Sequence, residues 1–377
     1  MTEASGELLQ NPQTKEYPVK EYAHSVDDWF NLFYRVGKAT HRSKTARGEE
    51  DSSRIERSLH SRVSRRDILR SLKSGQVSRS EAIAEGKKLD EYDRQFAHQK
   101  ELIIDLPDLG QQSSFYADIN LSKNYEAKAS EQKPPVFVVP ALSGDLYGLE
   151  PIVRELAASG RRVVSVAYPE SFHGKTTKEF ADAVDSSKTY YPHTDYFKKA
   201  IEQLLQEGDI ELWGFSTGGP IVAELLSDPE IQKRTANAVI VAPASSVNQS
   251  KLEFKAGLLN EMKETAKNIG GFSDISIVYG RKTPGDADNL GRRKRIFNTL
   301  LFQKACRETE VWRDMRVKKD GKITFVLGGK DKITKGYSKL EEFNALPNPQ
   351  VRVIEKPNWA HLTPLFKAKE LVDSVTH

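Results

Sequence analysis

Ser216 stands in the string Gly214-Phe215-Ser216-Thr217-Gly218, after the apolar run Ile210 to Trp213 and before a helical pattern that continues through Leu226. A plain glycine-rich turn accounts for that composition. A nucleophile on a sharp strand-to-helix turn accounts for it with chemistry, because glycines two residues to either side let the serine oxygen project above a sheet. The helix that follows would aim its amides and positive dipole end at the same spot. A serine hydroxyl is a poor nucleophile near neutral pH and needs a base.

The chain holds eight histidines. His24, His41, His60 and His98 fall in a polar N-terminal region, His173 and His193 in what read as loops, and His377 is the last residue. His361 differs. In "VRVIEKPNWAHLTP" it follows the last apolar strand pattern and precedes the last helical one, which places it on a loop at one sheet edge. A base also needs an orienter that fixes its tautomer and stabilises its charged form. Asp331, in "GGKDKIT", follows the strand pattern "KITFVLGG" and lies on the same expected edge. An ordinary turn aspartate and an ordinary loop histidine are the bland alternatives. Three placements on one edge, in the order Ser216, Asp331, His361, favour the chemical reading.

The elements that must hold these residues follow from periodicity. "KELIIDLPDL" and "SSFYADINLS" predict a hairpin. "PPVFVVPAL", "RRVVSVAYP", "IELWGFS", "NAVIVAPA", "KITFVLGG" and "QVRVIEK" predict six more strands. Between them, "LYGLEPIVRELAAS", "DYFKKAIEQLLQEG" and "GGPIVAELLSD" are amphipathic and helical. Near-continuous β-branched runs alternating with helices mean an α/β fold: a doubly wound, mostly parallel sheet of about eight strands covered on both faces. Ligands bind such sheets at the carboxyl ends of the strands.

The rhythm divides the chain. Residues 1–98 are dense in charge of both signs and predict a helical extension. One helix starts near Ser25, and a helix-turn-helix bends at Ser74-Gly75 with a second cap at Ser78 or Ser80. Residues 99–245 and 321–377 form the two parts of the α/β core. Residues 246–320 are too long for a simple crossover and predict a helical cap or lid inserted over the strand ends. Basic residues outnumber acidic ones there, most densely in "GRRKR" from Gly291 to Arg295. A solvated helix face is the simple account of that cluster; attraction of an anionic substrate, an acidic partner or a membrane surface is the functional one.

Composition bounds the rest. With 377 residues, 57 Lys and Arg against 53 Asp and Glu and a net charge of +4, the chain calls for neither nucleic acid nor a membrane surface. A protein partner docking on residues 1–98 fits their charge better than a nucleic acid does. The single cysteine, Cys306, excludes an intrachain disulfide framework. No Cys/His spacing suggests a metal, and no cofactor motif is present, so neither metal nor cofactor is expected. The N-terminus lacks the apolar core of a signal peptide, and no apolar run is long enough to span a bilayer, so a soluble, cytoplasmic protein is expected.

"GFSTGG" around Ser216, "LGGKDKIT" around Asp331 and "NWAHLTP" around His361 together resemble the α/β-hydrolase fold superfamily across residues 99–377. The resemblance implies a Ser–His–Asp triad, a cap after the sixth strand, and hydrolysis of an acyl bond; it does not identify the substrate, for which a small acyl molecule is the expectation. It does not separate a carboxylic ester hydrolase from a peptidase or an acyltransferase. A non-catalytic scaffold built on the N-terminal helices is the alternative from another class. The oxyanion hole is then expected from the Thr217 amide and a second amide after "VFVVP". Many members carry His-Gly at that strand end, whereas this chain has Pro140-Ala141. Proline has no N–H, which moves the expected donor to Leu142, with Ala141 or Ser143 as alternatives. Phe215, Phe172 and His173, with Ala141 and Ser143, are candidates for the pocket wall.

Overall fold

The computed structural model describes residues 71–121, 133–141, 146–171, 174–187, 189–244, 309–335 and 340–376, with short pieces at 256–257, 260–261, 291–293 and 295–296. Helix α1 spans Arg79–Ala97 and opens on a capping box. The Ser78 hydroxyl accepts from the Glu81 amide, and the Glu81 carboxylate accepts from the Ser78 amide. The turn before it is made by Gly75 at φ 72°. Strands β1 (Lys100–Leu106) and β2 (Gly110–Asn120) form the expected hairpin. Then follow β3 (Val136–Val139), α2 (Glu150–Ala158), β4 (Arg162–Val166), α3 (Lys178–Ser187), α4 (Tyr191–Leu204), β5 (Ile210–Phe215) and α5 (Gly218–Leu225). The chain continues with α6 (Pro229–Arg234) and β6 (Thr235–Val241), then β7 (Ile323–Gly328), α7 (Leu340–Asn344), β8 (Val351–Lys356), α8 (Thr363–Phe366) and α9 (Ala368–Thr376).

The eight strands form one sheet in the order β1-β2-β4-β3-β5-β6-β7-β8. From β4 to β8 every pair is parallel, while β1 and β2 add an antiparallel edge. The carboxyl ends of β5, β7 and β8 therefore share one edge. Alternate residues of each strand enter two separate cores, as the period of a strand requires. Phe137 and Val139 pack with α3, α4 and α5, whereas Val136 and Val138 pack with α1, α2 and α9. Helix α1 belongs to this second core through Tyr92 and Phe96, and Gln95 pairs with both backbone groups of Asn120 on β2. The described end of the charged N-terminal region is thus docked on the sheet.

Three elements depart from the expectation, the short helix α6 among them, where no helix was expected. Helix α3 occupies "KEFADAVDSS", where no helix was expected. Helix α4 begins at Tyr191 with Pro192 in its first turn, a position proline tolerates because its missing N–H has no intrahelical acceptor there. His193 is consequently a buried helical residue and not a loop histidine. No helix among the described residues is long and apolar enough to cross a membrane. The helix near Ser25 and Cys306 lie outside the described residues.

Glycines set how closely β5 and α5 approach their neighbours. A Cβ on Gly218 would lie 2.3 Å from the Val139 carbonyl oxygen, and one on Gly214 would lie 2.4 Å from the Gly218 carbonyl oxygen. Both obstacles are backbone atoms and cannot move aside. Gly218→Ala is expected to destabilise the fold by about 1–3 kcal/mol through overpacking. Gly86→Ala in α1, where a Cβ meets nothing within 4 Å, is expected to stabilise it by about 0.5–1 kcal/mol. Urea denaturation of both variants checks the pair; equal effects would contradict the packing argument.

Candidate active site

Ser216 occupies the turn between β5 and α5 with φ at 56°, a left-handed conformation that a non-glycine residue adopts only when its surroundings impose it. Three hydrogen bonds impose it here. The Ser216 amide donates to the Val241 carbonyl at 2.9 Å, and the Ser216 carbonyl accepts from the Gly219 and Ala244 amides at 3.0 and 2.9 Å. The loops after β7 and β8 are zipped together in a comparable way. The Gly329 amide donates to the Lys356 carbonyl at 3.0 Å, and the Lys330 amide donates to the Trp359 carbonyl at 2.8 Å. Side chains at Gly328 and Gly329 would collide with the Trp359 and Pro357 carbonyls at 2.6 and 2.5 Å. The Gly-Gly pair before Asp331 therefore lets its loop lie against the loop that carries His361.

The outcome is a linear chain of three side chains. His361 Nε2 is 3.1 Å from Ser216 Oγ, and His361 Nδ1 is 2.9 Å from Asp331 Oδ2. Ser216, His361 and Asp331 keep only 7%, 5% and 4% of their surface exposed. The Phe215 ring stands 5.3 Å from the imidazole, centroid to centroid.

Electrostatics fix who donates to whom. Burial works to raise the Asp331 carboxyl, but the facing His361 charge and hydrogen bond, with Thr334, outweigh it and hold Asp331 below its ordinary value. Asp331 Oδ1 accepts from the Ile333 and Thr334 amides, both at 2.9 Å, and Oδ2 accepts from the Thr334 hydroxyl at 2.7 Å. An ionised Asp331 can only accept, so the His361 proton sits on Nδ1 and Nε2 is free to accept from Ser216. Burial works to lower His361, but Asp331 and then Glu261 more than reverse this, and its value is raised.

Glu261 was not expected from the sequence. It belongs to the segment inserted between β6 and β7, is buried, and accepts the His361 amide at 2.9 Å and the Leu362 amide at 2.6 Å. Nothing in its local pattern marks it, since its partners lie a hundred residues further along the chain.

The remaining expected residues divide. Thr217 is buried at the N-terminus of α5, and Phe215 lies against His361. Ala141 is half-buried just past β3, where the Tyr168 hydroxyl donates to the Pro140 carbonyl at 3.1 Å. Leu142, Ser143, Phe172 and His173 lie outside the described residues. His193 is remote in role: its Nε2 pairs with Glu170 at 3.1 Å, and the Tyr168 and Phe180 rings meet it edge-on. Part of the basic cluster has a structural task. Arg295 pairs with Asp182 and Asp185 of α3, and Arg292 Nη1 donates to the Thr176 carbonyl at 3.0 Å. Among the described residues no group of three His, Cys, Asp or Glu could hold a metal.

A family model described as the alpha/beta hydrolase fold matches residues 134–368. No curated protein matches the chain by sequence. Among solved structures, an esterase from Rhodococcus sp. ECU1013 is similar at 15% identity and TM-score 0.52, covering 74% of this chain and 97% of its own. A thermophilic esterase from Thermogutta terrifontis is similar at 15% identity and TM-score 0.50, with the same coverage of 74% and 97%. At that identity the two structures speak for the fold alone. With the family match spanning well over half its length, the chain belongs to the α/β-hydrolase fold family.

The raised His361 value depends on the Asp331 charge. Asp331→Asn removes it and leaves burial to dominate, so the imidazole is expected to titrate at lower pH than in the native protein. The sign follows from linkage: His361 gains stability by binding a proton when folded, fully below its ordinary value, and loses it as pH rises through the raised one. NMR titration of the ring checks this, and an unchanged or higher value would contradict the electrostatic assignment.

Proposed function

We propose that this member of the family is a serine hydrolase that cleaves a carboxylic ester or a related acyl bond through an acyl-enzyme intermediate. The observation that carries the reading is the hydrogen-bonded chain Ser216–His361–Asp331 at the shared edge of β5, β7 and β8. Ser216 Oγ attacks the acyl carbon while His361 Nε2 takes its proton. Asp331 holds the imidazole in the Nδ1–H tautomer and stabilises the imidazolium. The oxyanion that forms is held by the Thr217 amide and an amide of the loop after β3, for which Leu142 remains the assignment. His361 then hands the proton to the departing alkoxide. In the second half, His361 takes a proton from water, the resulting hydroxide adds to the acyl carbon, and Ser216 leaves with the proton returned to it. The acid is released and the serine restored.

The substrate is proposed to be a small molecule carrying that acyl bond. The inserted residues 246–320 are proposed to act as a cap over the strand ends. The contacts of Arg292 and Arg295 with α3 and with Thr176 support this, since they tie that segment to the core. These arginines give part of the basic cluster a structural task, different from both a purely solvated face and the recruitment of an anionic ligand.

Turnover of p-nitrophenyl esters of graded chain length, beside aminoacyl p-nitroanilides, separates the ester reading from the peptidase one. Ester hydrolysis should exceed anilide hydrolysis and rise with pH through the raised His361 value, because the base must be neutral to accept the proton. Ser216→Ala and His361→Ala should each lower kcat by a factor on the order of 10⁴ or more. Ester turnover that survives Ser216→Ala, or anilides cleaved in preference, would contradict the reading.

A further inference from the structure

The loop that carries His361 has its amides committed one by one. The Ala360 amide donates to the Thr363 hydroxyl at 2.9 Å, and the Thr363 amide returns to the Ala360 carbonyl at 3.1 Å. The two amides between them, of His361 and Leu362, both point at one buried carboxylate, Glu261. That carboxylate does not belong to the β8–α8 region at all. It arrives with the segment inserted between β6 and β7, whose neighbouring Gly257 sits so close to the acid loop that a Cβ would lie 2.4 Å from the Lys332 carbonyl oxygen. One short stretch of the insertion thus meets both loops that converge on Ser216.

We propose that Glu261 is a positioning residue for the Ser216–His361 pair: its carboxylate pins the His361 and Leu362 amides, so the imidazole is aligned with Ser216 only while that carboxylate holds both. The inference rests on the serine-hydrolase reading and deepens it by making the base conditional on a contact with the insertion. Two amides held by one carboxylate fix the direction in which the His361 side chain leaves the backbone. Buried N–H groups without an acceptor are costly, so the loop has no cheap alternative arrangement once this partner is lost. A displacement of about 1 Å at a reacting group can lower the rate about 100-fold.

The same carboxylate has an electrostatic consequence. The groups facing the imidazole are Asp331 from the loop after β7, Glu261 from the insertion and the Ser216 hydroxyl from the turn after β5. The groups facing Glu261 are His361 and Asp331; burial, the largest influence, raises its own carboxyl, and the His361 charge and the two amides oppose that. When His361 takes the Ser216 proton, two negative charges therefore face the new imidazolium. The hydrogen bonds of Glu261 go to the His361 and Leu362 backbone amides, so it acts through His361.

The test compares the full-length protein with Glu261→Gln, Glu261→Asp and Ser216→Ala. The rate of phosphonylation by a fluorophosphonate is followed from pH 5 to 9. In that step the Ser216 Oγ–P bond forms, the P–F bond breaks, fluoride departs and the proton passes to His361. Thermal melts and an NMR titration of the His361 ring accompany the rates. A glutamine can accept one amide but presents its own NH₂ to the other. Glu261→Gln is therefore expected to lower the plateau rate about 10- to 100-fold and to move both the rising limb and the ring titration to lower pH. Glu261→Asp keeps the charge and should restore the limb to its native position with part of the rate. Loss of melting temperature alone, with the plateau within twofold and the limb unmoved, overturns the proposal and leaves Glu261 a structural residue. If the native protein is labelled no faster than Ser216→Ala, the serine-hydrolase reading itself has failed. An unshifted ring titration in Glu261→Gln then separately overturns the electrostatic role.

Discussion

Everything at this site hangs on one backbone conformation, the left-handed turn at Ser216. A non-glycine residue at φ 56° costs on the order of 1–3 kcal/mol. It persists because the surroundings leave no other choice. Val241 takes its amide, Gly219 and Ala244 bind its carbonyl, and Gly214 and Gly218 admit backbone where any side chain would collide. The turn sits at the end of the central β5, flanked by β3 and β6, so the strain is borne by the most buried part of the sheet. The reward is geometric: the hydroxyl stands clear of β5 and reaches a histidine supplied by β8, three strands away in the sheet order.

A second constraint is the charge buried beside it. An aspartate with almost no exposed surface keeps its charge only if its lone pairs are occupied. The Ile333 and Thr334 amides, the Thr334 hydroxyl and His361 occupy them at Asp331. The loop "GGKDKIT" is thus a pre-built carboxylate cradle as well as a connection. Glu261 repeats the device from the other side, with the His361 and Leu362 amides as its donors. Burial works to lower the imidazole, but the Asp331 charge and hydrogen bond, and then the Glu261 charge, raise its value, and both carboxylates are fixed by backbone N–H groups. Rigid donors of this kind do not reorganise as charge develops, the property that makes such sites effective.

How much of this was legible in the sequence follows the range of the interactions. The six parallel strands were legible because buried strands such as "VFVV" and "AVIV" are apolar on both faces and cannot be solvated helix faces. Ser216, Asp331 and His361 were legible because each sits just past a strand, and parallel strands deliver their ends to one edge. Helix α3 escaped notice: "KEFADAVDSS" is short, and only Phe180, Ala181 and Val184 mark its buried face. His193 was misplaced because Pro192 reads as a loop signal but here occupies the first turn of a helix. Glu261 could not have been found by pattern, since its meaning lies wholly in two amides far along the chain. The basic cluster read as a solvated face with an anionic ligand as the alternative, whereas Arg295 finds its carboxylates on α3, in a helix the sequence had not disclosed.

The most direct measurement of the central claim is the position of a fluorophosphonate adduct, read by tandem mass spectrometry on peptides of the labelled native protein. The account predicts one adduct per chain, on Ser216 within the Gly214–Gly219 string, and none after denaturation before labelling. An adduct on any other residue, or a native protein that takes up no label, would contradict it.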